Sequence, residues 1–154
     1  MTGITQCMTT SFKTDVLSGN MNFSTAARTI TGQDVFKIAL YSVAGGATLD
    51  ATTTAYTTTG EISGTGYTAG GKTLTISQTP TSSGIPTTTA YINFANVAWT
   101  SAAFSADGAL IYNSSNGNKS VAVLNFGGTK TVTTGTFTVV FPTAGSGAAI
   151  VQIQ

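Results

Sequence analysis

From Asp34 onward, apolar and polar side chains alternate with a period of two over most of the chain. Phe36, Ile38 and Leu40 fall on one side of an extended segment, with Val35, Lys37, Ala39 and Tyr41 on the other. That alternation predicts a half-buried strand. Lys72 to Gln78 repeats it with Leu74 and Ile76 on one face, and Thr88 to Ala95 with Ala90, Ile92 and Phe94. Val97 to Phe104 sets Val97, Trp99 and Ser101 against Ala98, Thr100 and Ala102. Ala109 to Asn113 and Ser120 to Phe126 flank Asn116-Gly117, a hairpin signal, since Asn and Gly tolerate the positive φ of tight turns. Thr136 to Phe141 (Phe137, Val139 and Phe141 inward) and Ala148 to Ile153 (Ala149, Val151, Ile153) close the series. Asp107-Gly108 predicts a turn, Gly127-Gly128 a strand break, and Thr79 to Pro86 a turn cluster containing Pro80 and Pro86. Asp50 to Thr59 reads as a loop or one helical turn. Glu61 to Tyr67 reads as a short edge segment broken by Gly64 and Gly66.

Residues 1–33 follow a different pattern. Phe12, Val16 and Leu17 stand at i, i+4 and i+5, and Gly19 suits the stop position of a one- or two-turn helix. Asn20 to Arg28 has no sustained period. The expected organisation is an N-terminal extended arm with a short helix over residues 1–33, then a β domain over residues 34–154. About eight or nine strands at roughly 8–14-residue spacing predict an all-β fold. The architecture expected is an antiparallel β-sandwich, jelly-roll or Ig-like. Threonine, at 32 of 154 residues, fits a pleated surface and offers hydroxyls for cross-strand pairs.

Charge changes the picture more than size does. Only 7% of residues are charged, six basic against five acidic, and there is no histidine. A monomer of this mass exposes on the order of 7,000 Å², so charges are sparse and association with other chains is favoured. A net charge of +1 with scattered lysines is no footprint for nucleic acid. No apolar run approaches the roughly 20 residues of a membrane span. Met1 to Thr10 lacks a basic head and an apolar stretch, so no secretory signal is expected. The single Cys7 excludes an intrachain disulfide.

Candidate chemistry is thin. Gly66-Tyr67-Thr68-Ala69-Gly70-Gly71-Lys72-Thr73 satisfies the G-x-x-x-x-G-K-[ST] spacing of a phosphate-binding loop. That loop works by delivering backbone N–H groups at a helix N-terminus, whereas Leu74-Thr75-Ile76-Ser77 alternates like a strand. Glu61 and Asp107 are the candidates for a glycosidase-like pair, beside ordinary readings as an edge charge and a turn residue. Cys7 has no histidine partner for a nucleophile's role. Trp99, Tyr41, Tyr56, Tyr67, Tyr91 and Tyr112 would make a carbohydrate platform if they lined one face; packing inside the sheets is the favoured reading. No metal or cofactor is expected.

One resemblance adds to this. The ordered string Glu61-Ile62-Ser63-Gly64-Thr65-Gly66-Tyr67-Thr68-Ala69-Gly70-Gly71 resembles a family of small virion structural proteins of tailed bacteriophages. So do Phe36 to Ser42, Thr53-Thr54-Ala55-Tyr56, Gly108 to Asn113, Val121 to Gly127, Gly135 to Val139 and the upstream Phe12-Lys13 … Leu17-Ser18-Gly19. The similarity spans roughly residues 11–153. It implies a non-enzymatic virion component, expected to be a capsid decoration (cement) protein. Such a protein binds the major capsid protein from outside, as a homotrimer over local threefold positions, without nucleic acid or membrane. The expected capsid contacts are Phe12, Val16, Leu17 and Phe23 of the arm, each of which could instead pack on its own domain. Two alternatives stand beside this. One is a tail, neck or host-adhesion component using loops near Tyr67 or Asn116. The other is a secreted carbohydrate-binding module.

Overall fold

A computed structural model describes residues 3–24, 33–82, 89–143 and 149–153. The chain is mostly β, an all-β sandwich with one short helix. The elements run β1 (Gly3–Ile4), β2 (Cys7–Met8), α1 (Thr10–Leu17), β3 (Phe36–Tyr41), β4 (Thr48–Leu49) and β5 (Lys72–Thr73). They continue with β6 (Ile76–Thr81), β7 (Ala90–Phe94), β8 (Val97–Asn113), β9 (Lys119–Val139) and β10 (Val151–Ile153). A five-stranded antiparallel sheet, β2-β9-β8-β3-β5, is the centre. A three-stranded antiparallel sheet, β10-β7-β6, covers one face. A small parallel pair, β1 with β4, belongs to the other.

The strand expected to be half-buried is buried on both sides. Ile38 and Leu40 face the main core with Phe94, Trp99 and Val151. Ala39 and Tyr41 face a second cluster with Ile4, Leu49, Leu110 and Tyr112. The polar alternation at this strand is thus carried by small or hydroxyl-bearing side chains that still tolerate burial. Its partner, the second half of β8, is buried from Gly108 to Asn113.

Two expected breaks lie inside long strands. Asp107-Gly108 does not turn: Gly108 pairs with Tyr41 on one side and Asn125 on the other. A Cβ there would meet the Leu124 carbonyl at 2.4 Å and the Ile4 side chain at 2.8 Å. The glycine admits close backbone approach rather than reversing the chain. Gly127-Gly128 does not end β9 either; Phe126 to Thr129 bulge opposite the single residue Asp107. A further bulge reverses the predicted facing of Ser101. Trp99 pairs with Phe137 and Ala102 with Gly135, so Thr100 and Ser101 oppose one residue, and Ser101 has φ +51°. Before the bulge Val97 and Trp99 point inward; after it Ala102, Phe104 and Ala106 do, and Ser101 is exposed.

Thr79 to Thr81 continue β6 rather than forming a turn. Pro80 is tolerated because β6 is an edge strand with a register shift between Gln78 and Thr81. Lys72 to Gln78 splits into β5 and the start of β6, and Asp50 to Thr59 is loop with one isolated bridge at Ala55. The Asn116-Gly117 hairpin forms as expected, with Gly117 at φ +62° and Asn118 at φ +56°. The turn around Pro86, and residues 25–32, 88 and 148, lie outside the described residues.

Residues 3–24 lie on the sandwich. β2 extends the central sheet beside β9 at Ala122 and Val123. Thr9 caps α1 by accepting from the Phe12 N–H, and its hydroxyl is 2.9 Å from that of Ser120. Phe23 stacks on Phe36 with ring centroids 4.4 Å apart. Lys119 Nζ donates to Asp15 Oδ1 at 2.5 Å, tying the helix to β9.

Glycine substitutions test this packing. At Gly71, φ is +67° and a Cβ would lie 1.8 Å from the Ile38 carbonyl oxygen. Gly71→Ala is expected to cost more than about 3 kcal/mol by urea denaturation. Gly117→Ala, which meets nothing within 4 Å, should cost only about 1 kcal/mol. Equal losses at the two positions would refute the close approach of β3 to this loop.

Candidate functional site

The residues singled out for chemistry are engaged within the fold. Glu61 is the acceptor at the centre of a tyrosine cluster. Its Oε2 accepts from the Tyr56 hydroxyl at 2.6 Å, and its Oε1 from the Tyr67 hydroxyl and the Gly70 N–H, both at 2.7 Å. The Tyr67 oxygen in turn accepts from the Leu40 N–H at 3.0 Å. Tyr112 donates to the Gly70 carbonyl at 2.7 Å, and Tyr41 to the Thr57 carbonyl at 2.6 Å. Together these bonds hold the Thr-rich segment 50–71 to the buried sheet. Burial first, and then its bond to Glu61, pushes the Tyr56 hydroxyl up to about 12. Burial likewise raises Tyr41, Tyr67 and Tyr112.

Asp107, the other half of the expected carboxylate pair, has its own partners. It accepts from the Val43 N–H at 2.7 Å and the Thr129 hydroxyl at 2.5 Å. The Thr129 bond holds it below the ordinary carboxylate value, which disfavours it as a proton donor at neutral pH. The remaining carboxylates are bonded in the same manner. Asp15 accepts from Lys119 and Asn20, Asp34 from the Asn22 N–H and Asn113, and Asp50 from Thr52. All five acidic side chains therefore serve local structure.

The phosphate-loop spacing leads into a strand. Lys72 starts β5, paired with Ile38, and no helix N-terminus follows the glycines. Its Nζ donates to the Ala98 carbonyl at 2.6 Å and lies 5.7 Å from the Trp99 ring centroid. Trp99, Tyr41, Tyr91 and Tyr112 are buried, so they offer no exposed sugar platform. Asn116, in the hairpin turn, donates to the Asn20 carbonyl. Burial raises the Cys7 thiol above its ordinary value, and its Sγ donates to the Thr5 carbonyl. Among the described residues no three His, Cys, Asp or Glu side chains gather as a metal set, and no helix is long and apolar enough to cross a membrane.

The four expected contact residues separate into two pairs. Phe12 and Phe23 belong to the main core. Val16 is half-buried, and Leu17 is 89% exposed at the end of α1. Leu17, Val16, Met8 and the floor of Phe12 line a shallow apolar groove of about 340 Å³ against Ile153, itself 54% exposed. The sequence placed Phe12 on a helix by its spacing to Val16, whereas Phe23 stands in a stretch without a period and gave no signal of its burial. Ile153, expected to point inward, is instead the groove's far wall. A second apolar groove of about 480 Å³ runs beside β9, floored by Phe126, Phe137 and Phe141, with Val140 exposed and Lys130 as its only charge.

Two measurements test the tyrosine cluster. Glu61→Gln turns one acceptor into an amide donor facing a donor, so a loss of about 1–3 kcal/mol is expected in chemical denaturation. An unchanged midpoint would remove Glu61 from its anchoring role. The raised phenols also set an alkaline limit. The Tyr56 contribution is fully present below pH 10, the ordinary value, and is lost as pH rises through about 12, and the raised Tyr41, Tyr67 and Tyr112 act in the same direction. Tyrosinate absorbance and loss of circular dichroism should therefore rise together above pH 10. Ionisation of these phenols near 10 with the fold intact would contradict the cluster. Compared with family models, curated proteins and solved structures, the chain matches none of them.

Proposed function

We propose that this chain is a virion structural protein of a tailed bacteriophage, most specifically a capsid decoration protein that attaches to the major capsid protein and reinforces the shell. The observation that carries this reading is the apolar groove at α1, where Leu17 stands almost wholly in solvent opposite Ile153. Exposed large apolar side chains that cluster mark a contact surface. The low charge suits burial against a neighbour, since unpaired charges at an interface are costly. Engagement of all five carboxylates by the fold supports a mechanical role over a catalytic one. The resemblance to virion proteins supplies the particle. An interface of about 1,600 Å² is typical of a stable complex, and repetition over a lattice multiplies its effect.

In this mechanism Val16 and Leu17 are the capsid anchors. Phe12 and Phe23 act indirectly, by holding α1 against β9. Truncating residues 1–33 would strip Phe12, Met21 and Phe23 from the core and so test folding. A point substitution separates the two effects. Leu17→Asp should reduce co-sedimentation with capsid shells at least tenfold while leaving the thermal midpoint unchanged. Phe12→Ala should instead cost about 3–5 kcal/mol of stability. Undiminished attachment of the Leu17 variant would overturn the role of this groove, and failure of the unmodified protein to bind competent shells would overturn the decoration reading.

A further inference from the structure

A protein that reinforces a shell must hold two neighbours, and the α1 groove serves one. The outer edge of β9 offers a second surface. β2 covers that edge only at Ala122 and Val123. Past Gln6 the chain leaves the sheet: Thr5 donates to the Leu49 carbonyl, and Ile4 pairs with β4. From Leu124 to Val139, no described strand other than β8 makes backbone hydrogen bonds to β9. Against a foreign strand the edge carries only partial protection, chiefly the bulge at Phe126 to Thr129. It has no proline, and Lys130 is its only charge between Phe126 and Val140. A bulge interrupts it around Thr133 and Thr134, but Phe137 to Val139 run in regular register with Val97 to Trp99.

The groove of about 480 Å³ lies where β2 would have continued. Gln6 lines one end; Phe126, Phe137 and Val139 supply the apolar wall, and Lys130 the single cation. Bare backbone beside an apolar trough is the arrangement of strand addition. Main-chain bonds then give affinity, and pockets for alternate side chains give selectivity. Side chains of an added strand would alternate between the trough, whose rim includes Thr138, and the face of the exposed Thr136.

We propose that β9 accepts an extended segment of another protein as an additional strand. The segment carries apolar residues at alternate positions, hydroxyl-bearing residues between them, and a carboxylate to face Lys130. That its source is a neighbouring virion subunit rests on the proposed function; the acceptor property does not.

The test uses the full chain with a blocked nonapeptide probe, acetyl-Val-Thr-Val-Thr-Val-Thr-Val-Thr-Glu-amide, which laid antiparallel to β9 reaches from Val139 to Lys130 across the bulge at Thr133 and Thr134. NMR titration is expected to shift backbone amides of Gly135 to Val139 and slow their hydrogen exchange at least tenfold. Replacing the probe's Glu by Lys should weaken binding at least fivefold, and Lys130→Glu, an exposed position, should reverse that preference. Perturbation elsewhere, no perturbation, or indifference to the charge swap would overturn the proposal. So would β9 protection in the free protein accompanied by dimers in sedimentation, which would identify a second copy as the occupant. Hydrogen exchange on shell-bound protein separates the two readings. Attachment with unprotected β9 amides refutes the capsid source alone, whereas probe binding without attachment to shells refutes the decoration role alone.

Discussion

The pairing of β3 with the second half of β8 has to be kept dry on both faces, and the rest of the molecule is arranged around that requirement. One face receives the three-stranded sheet and the aromatic group of Phe12, Phe23, Phe36 and Phe94. The other receives Ile4 and Leu49 together with a long segment so rich in threonine that it brings little apolar surface of its own. Hydrophobic burial alone cannot hold such a segment. The bonds from Tyr41, Tyr56, Tyr67 and Tyr112, centred on Glu61, perform that task. Their value comes from burial, because a donor left without its acceptor there costs more than the bond contributes in water.

Scarcity of charge and fullness of use go together. Each carboxylate organises a turn, a cap or a loop crossing, so the electrostatics are short-range and internal. The outward face is largely hydroxyl and amide, with apolar side chains projecting at Leu17 and Ile153 around one groove and at Val140 beside another. Such a surface has little long-range field to steer or repel a partner. Recognition must then rely on fit at close range, in keeping with a role in a repeating assembly.

Period-two alternation made the strands legible because each β residue reports its own face. Phe36, Ile38 and Leu40 were readable in this way, while the hairpin at Asn116-Gly117 and the helix stop at Gly19 were readable from residues that tolerate positive φ. The errors have more than one cause. Glycine and Asp-Gly are read as chain reversals when context is unknown, yet at Gly108 a neighbouring carbonyl, not a turn, demands the missing side chain. Ser101 was assigned to the wrong face because a bulge adds one residue without leaving a distinctive local pattern. The Glu61 cluster was hidden for another reason: Tyr56 and Tyr67 lie within six residues of Glu61 but in a loop without a period, and Tyr41 and Tyr112 join them only through the pairing of β3 with β8. Thr9, three residues before Phe12, was a legible helix cap that apolar spacing alone passed over.

The placement of residues 3–24 has a consequence for biogenesis. Some of their partners are near, such as Phe36 for Phe23 and Leu49 for Ile4, but those of β2 and α1 at Val121, Ala122, Val123 and Lys119 are encoded more than a hundred positions later. On a ribosome α1 emerges before β9 and lacks its partners there until about a hundred further residues have been made. Phe12 would wait meanwhile as a sticky, unshielded group. Loop closure over such a span is slow relative to local hairpin formation. Completion of the native state thus waits on β9, and the early helix is the place where a chaperone's protection would matter most.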